Sequence, residues 1–199
     1  MNMTLKPAFG LSGSTLKVIA MISMVIDHIA LYLMEHGTVL YETMRCIGRI
    51  AFPVFAFLIA EGFIHTKSRY RYFFTLLDFA VISEIPWYML NGADASWLGV
   101  DYEWRGILVI VIFYLFKEYG DSFPYSRGMQ FFCTFVFMMH YGVIGAVMSC
   151  MIIYLYDGTR GFVQGSIAKY GFYAFYPVHF ILFIQICERS FPGILMFKL

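Results

Sequence analysis

Charge is scarce in this chain: 14% of its 199 residues are Asp, Glu, Lys or Arg, and 60% are hydrophobic. Soluble domains carry about 25% charged residues, so the deficit excludes an ordinary soluble protein, and the mean hydropathy of +0.70 agrees. The net charge of +1 supplies no basic field, and no nucleic-acid partner is expected. HExxH, a Walker A loop, GxSxG and GxGxxG are all missing, which removes the sequence case for a zinc protease, an ATPase or a serine hydrolase. Cys46, Cys133, Cys150 and Cys187 lack CxxC or His/Cys ligand spacing. They read as reduced packing residues, and no bound metal is expected. The stretch before Leu16 lacks the order of a signal peptide, so the first helix is expected to be retained.

What the sequence does contain is a series of apolar runs, each roughly 17–22 residues long and able to cross a hydrocarbon core about 30 Å thick. Lipid offers the backbone no hydrogen-bond partner, so these runs predict helices. The expected fold is all-α: a polytopic transmembrane helix bundle of about seven spans, six to eight being possible. One integral-membrane domain covers 1–199, with membrane lipids as its surroundings. Helices are expected over Leu16–Met34 behind a Ser14 or Thr15 cap, and over Met44–Ile64 with a kink at Pro53. Others follow over Tyr72–Leu90, Trp104–Tyr119 and Lys169–Cys187. The apolar stretch Met129–Tyr156 is interrupted by His140, Tyr141, Gly142 and Gly145 and suits two short or tilted helices. A polar, acidic loop is expected over Asn91–Glu103.

Basic residues set the orientation. With seven spans Lys6, Lys17, Lys67, Arg69, Arg71, Lys117, Arg127, Arg160 and Lys169 share one side, which predicts a multi-pass cell-membrane protein with a cytoplasmic N-terminus. Arg45 and Arg49 fall at the other side and ask for a separate reason.

Ionisable groups inside a span cost at least about 2.5–3.5 kcal/mol each, so they are paired, face a wet cavity, or act. His28 lies deep in the first helix, next to Asp27 in sequence but about 100° away on the helical wheel. It is either a general base or a neutral histidine bonded to a neighbouring carbonyl. Arg49 can anchor an anion, steady an oxyanion, or balance Asp27 or Glu84. Glu61 and His65, one turn apart, form either a helix-end hydrogen bond or part of a cytoplasmic mouth. Lys67, Arg69 and Arg71 are either a topology signal or a grip for cofactor phosphates. Asp78 and Glu84 are expected to pair with cations. In FYPVHF, His179 and Tyr176 are candidate substrate contacts.

The strings LKVIAMISMVIDHIA, GRIAFPVFAFLIAEGFIHT, FAVISEIPW, LYDGTRG and KYGFYAFYPVHF occur in an order that resembles the TraX family of membrane acetyltransferases, which act on a pilin N-terminus. The chain resembles a shortened member, without the Asn-Val-x-Phe-Thr type helix opening that follows the SEIP segment. The family is in turn similar to a wider group of transmembrane acyltransferases with a catalytic histidine in the first helix. The resemblance implies acetyl-CoA as acyl donor and a peptide or pilin N-terminal amine as acceptor. It implies His28, and His28 alone, as the base; the residues themselves offer Asp27 or Glu84 to steady the developing charge and Arg49 to stabilise the oxyanion or anchor a carboxylate. The CoA phosphates would then lie near Lys67, Arg69, Arg71, His65 and Glu61. Two other classes stay open: a proton- or ion-coupled carrier using Asp27, His28, Asp78 and Glu84, and a non-catalytic assembly factor for a peptide or pilin. The oligomeric state is not set by the sequence.

Overall fold

A computed structural model describes residues 10–91, 103–120, 126–163 and 165–190 of the protein. The expected acidic loop Asn91–Glu103 and the turn after Tyr119 lie largely outside the described residues, as does Lys6. Those residues fold into eight α-helices and a 3-10 turn, an all-α architecture that agrees with the apolar runs. They cluster into two compact units.

The first unit begins with α1, Gly13–Leu33. It starts earlier than expected because Ser12 is the cap, its side chain accepting from the Thr15 N–H at 3.2 Å. Ser14 is used otherwise: its hydroxyl donates to the Arg160 carbonyl at 2.7 Å and accepts from the Val163 N–H at 2.8 Å. The Leu11 and Gly13 N–H groups bond the Leu155 and Thr159 carbonyls, so the entry to α1 is strapped to the 155–163 loop. Gly161, at φ +80°, lies so close to Ser12 that no side chain would fit there.

The long run after the first turn is two helices, α2 (Val39–Gly48) and α3 (Ala51–His65). Thr38 caps α2 by accepting from the Tyr41 N–H at 3.2 Å. The break at Arg49–Ile50 follows from Pro53, which has no N–H to offer the Arg49 carbonyl four residues back and whose ring crowds that carbonyl. The expected kink is therefore present, and it falls one turn before the proline.

Next come α5 (Glu103–Tyr119), α6 (Ser126–Met138), the 3-10 turn Met139–Tyr141 and α7 (Val143–Tyr154). The two short helices expected between Met129 and Tyr156 are α6 and α7, parted at Gly142, whose φ of +141° suits glycine. Within this unit α1 packs on α2 and α3, and α7 packs on α2, α3 and α6. Phe57 meets Phe113 and Tyr156 edge to face, at 5.4 and 5.2 Å between ring centres, which ties α3 to α5 and to the end of α7. Leu16, Ala20, Val54, Ala56 and Ala60 fill the interior, and the small residues let the backbones approach closely.

The second unit contains α4 (Arg69–Asn91) packed on α8 (Ser166–Ser190). Phe79 and Tyr173 meet at 5.5 Å across that pair. Pro86 and Pro177 lie inside the two helices.

Among the described residues, four segments are long and apolar enough to cross a membrane: Gly13–Leu33, Val39–His65, Arg69–Asn91 and Ile167–Arg189. The helices α5, α6 and α7 have 17, 13 and 12 residues. At 1.5 Å per residue they reach about 25, 20 and 18 Å.

Candidate functional site

The candidate site lies on α1 where its two ionisable neighbours, Asp27 and His28, diverge around the helix. Asp27 faces α2, and its Oδ2 accepts a hydrogen bond from Arg45 Nη1 at 2.5 Å. Both side chains are mostly buried, at 14% and 17% exposure, so the attraction is poorly screened. Gly48 makes the approach possible, since a Cβ there would overlap the Asp27 side chain. His28 is 6% exposed, and its ring lies 5.8 Å from that of Tyr32, one turn along. The helical wheel therefore describes the pair correctly: adjacent in sequence, turned to different neighbours.

Arg45 and Arg49, one turn apart, both line a cleft of about 500 Å³ together with Tyr41, Glu42, Cys46, Tyr141, Gly142, Val143 and Ile144. The break before Pro53 and the 3-10 turn before Gly142 form this end of the unit. A side chain at Gly145 would strike the Arg49 side chain and the Cys46 carbonyl, so that glycine seats Arg49 against α7.

The opposite end of the same unit has its own polar cluster. Glu61 Oε1 accepts from the Tyr156 hydroxyl at 3.1 Å, and Lys117 Nζ lies 3.4 Å from Oε2. The His65 ring bonds the Glu61 backbone carbonyl at 2.9 Å, the helix-end bond anticipated for this pair, and its Nδ1 lies 3.6 Å from the carboxylate. Burial raises the pKa of Tyr156 above the ordinary tyrosine value, and the Glu61 carboxylate adds to the rise. Asp157 closes the adjoining turn, accepting from the Thr159 N–H and hydroxyl at 2.7 Å each.

Lys67, Arg69 and Arg71 lie exposed at the turn into α4, where the Ser68 hydroxyl accepts from the Arg71 N–H at 3.3 Å. Asp78 and Glu84 are exposed on α4. On α8, His179 is 3% exposed, stacked on Phe175 at 5.1 Å and bonded to the Phe175 carbonyl at 3.1 Å. Phe180, Tyr176 and Phe183 complete an aromatic surround, while Tyr176 keeps its own outer edge exposed. Among the described residues, no group of three or more His, Cys, Asp or Glu side chains is disposed to hold a metal.

Four residues here were not singled out as site residues from the sequence: Arg45, Tyr141, Tyr156 and Lys117. Arg45 had a signal, being a cation inside an apolar run and a full turn from Arg49. Tyr156 and Lys117 had none, because their partner Glu61 is far away in the chain.

Comparison with known proteins adds relatives to this geometry. A family model described as "TraX protein" matches residues 12–100 and 95–187. The chain is 42% identical over 77 residues to the "Probable fimbrial assembly protein FimC, serogroup H1" of Dichelobacter nodosus, covering 39% of this chain and 31% of that protein. It is 52% identical over 70 residues to the uncharacterized protein RP591 of Rickettsia prowazekii (strain Madrid E), covering 35% of this chain and 25% of that one. The matched stretches thus span less than a third of each of these relatives. No solved structure matches.

Proposed function

The chain belongs to the TraX family, and from that premise we propose that it is a membrane-embedded acyltransferase moving an acetyl group from acetyl-CoA to the N-terminal amine of a peptide or pilin-like substrate. The supporting observation is His28, a buried imidazole on a membrane-length helix, adjacent to an Asp27 whose charge is already matched by Arg45. With its charge so committed, Asp27 braces the helix at the reaction centre and leaves proton transfer to His28.

In the proposed reaction the acceptor nitrogen attacks the thioester carbonyl. A carbon–nitrogen bond forms, the carbon–sulfur bond breaks, and the amine proton passes by way of His28 to the departing thiolate. Once the amine nitrogen has attacked the carbonyl it becomes far more acidic, so a neutral imidazole can take the proton it releases. The exposed cations Lys67, Arg69 and Arg71 offer partners for the CoA phosphates. They follow α3, whose last turn carries Glu61 and His65. Lys17, Lys117 and Arg160 belong to this same end by their positions in α1, α5 and the 155–163 loop, which supports assigning it to the cytoplasm.

The deciding experiment incubates purified protein with acetyl-CoA and candidate pilin N-terminal peptides and reads the products by mass spectrometry. One added acetyl group is expected, and none with His28→Ala. Acetyl transfer at the wild-type rate by folded His28→Ala protein would overturn the role of His28. The name of the Dichelobacter relative favours a second reading, a non-catalytic assembly factor. That reading predicts peptide binding without any acetylated product.

A further inference from the structure

We propose that the outward face of α4 docks a transmembrane helix of a partner protein that carries a Lys or Arg inside its apolar stretch, with Asp78 meeting that cation and Glu84 flanking it. The binding does not rest on the acetyl-transfer reading; only naming that helix as part of the acetyl acceptor would.

Two stripes run along α4 at alternating steps of four and three, the spacing that sets residues on one side of a helix for a neighbour. The first is Tyr72, Leu76, Phe79, Ser83, Pro86 and Leu90, all buried or half-buried, and from it Phe79 meets Tyr173 of α8. That seam is filled. The second, on nearly the opposite side, is Phe74, Asp78, Val81, Ile85 and Tyr88, all exposed, the four apolar members at 39% to 67%. Among the four membrane-length segments α4 is also the least covered, with 17% of its apolar stretch buried.

Lipid suits the apolar members of this second stripe but not Asp78. Counted from Arg69, the first residue of α4, Asp78 lies about 14 Å and Glu84 about 22 Å along the axis, both within a hydrocarbon core about 30 Å thick. Ionisable groups at that depth are paired, wet or functional, and among the described residues neither carboxylate is held in an ion pair. Glu84 stands about 120° around the helix from Asp78, with Val81 between them. A helix seated on Val81 and Ile85 therefore meets Asp78 inside the seam and Glu84 at its edge.

The carboxylates choose among occupants. A second copy related by a two-fold axis along the membrane normal would set Asp78 against Asp78 and Glu84 against Glu84 at equal depth, where like charges repel. A wholly apolar helix would bury Asp78 with no partner. A helix with an ammonium or guanidinium at the matching depth neutralises Asp78 and gains a fixed register, as a single polar residue gives an apolar seam.

The test uses the full chain in phosphatidylcholine vesicles and three tryptophan-free, dansyl-tagged helices of Leu and Ala, alike except for a central Lys, Gln or Glu. Energy transfer from the protein's three tryptophans, Trp87 on α4 among them, reads association. The Lys helix is expected to bind about tenfold more tightly than the Gln helix, the scale of one strong interhelical polar contact, and the Glu helix no better than the Gln helix. Asp78→Asn should remove the preference, Asp78→Glu keep most of it, and Asp78→Lys pass it to the Glu helix, while Glu84→Gln should weaken it less than Asp78→Asn. Equal binding of the Lys and Gln helices, or binding of neither, overturns the proposal. So does a preference for Lys that survives Asp78→Asn combined with Glu84→Gln. Self-association of the protein that displaces the Lys helix would assign the face to a second copy and overturn the proposal as well. The wild-type arms need no variant, so poor folding of one leaves the test decisive. Acetyl-CoA is absent throughout, so the outcome is independent of whether the chain transfers acetyl groups.

Discussion

Arg45 crosses from α2 to Asp27 on α1, closing an ion pair at 2.5 Å one residue before His28. Removing one partner strands the other charge in a poorly solvated place. Asp27→Asn or Arg45→Gln should therefore each cost about 3 kcal/mol, the low end for a buried pair because both side chains retain some exposure. The double variant should recover a large part of that loss. Thermal unfolding in detergent measures it; a double variant as unstable as the sum of the singles would mean the pair is not coupled.

Two glycines allow the helices around this pair to approach. A methyl group on Gly48 would strike Asp27, and one on Gly145 would strike Arg49 and the Cys46 carbonyl. Gly48→Ala and Gly145→Ala should each destabilise by about 1–3 kcal/mol through overpacking. Gly171 in α8 has no atom within 4 Å of an added Cβ, so Gly171→Ala should be neutral or stabilising by up to about 1 kcal/mol. Equal losses at all three positions would show that glycine acts there through the backbone and not through close packing.

The outline of the fold was visible in the sequence because it depends on local features. Apolar length marked the spans, Pro53 marked the break at Arg49–Ile50, and Gly142 marked the joint between α6 and α7. The different faces of Asp27 and His28 follow from 3.6 residues per turn alone. The aromatic surround of His179 is mostly local too, built from residues one to four positions away on α8. Partner choice was less visible. Arg45 and Arg49 share one face, so helix periodicity cannot say which one meets Asp27. The bond between Glu61 and Tyr156 joins positions 95 residues apart and depends on how α7 packs on α3. The early start of α1 is also a tertiary effect, since Ser14 is occupied by the 155–163 loop and Ser12 takes over as cap.

The Tyr156–Glu61 bond should be visible in the pH dependence of stability. Tyr156 loses its proton less readily when folded, because burial and then the Glu61 carboxylate oppose the phenolate. Its contribution is complete below the unfolded tyrosine pKa of about 10 and declines as pH rises beyond it, since only the unfolded chain ionises there. Tyr156→Phe should cost about 1.5–3 kcal/mol near neutral pH by removing a hydrogen bond to a charged group. The gap between wild type and variant should then narrow above about pH 10. Parallel melting-temperature curves from pH 7 to 11 would place the phenol in water.

Pro53 supplies the strongest test of how the site is assembled. It denies the Arg49 carbonyl its helical partner and divides the segment Val39–His65 at Arg49–Ile50. Pro53→Ala restores the missing N–H and lets one helix run through, turning α2 relative to α3. That change carries Arg45 away from Asp27 and Arg49 away from Gly145. Helix content by circular dichroism should hold or rise, while stability falls despite the better helix former. The diagnostic measurement is a double-mutant cycle. In the Pro53→Ala background Asp27→Asn should cost at least about 1 kcal/mol less than in wild type, because the pair is already open. Additivity within about 0.5 kcal/mol would mean that the break does not set the pair. A large coupling makes Pro53, a residue with no chemistry of its own, the positioning element for the charges beside His28.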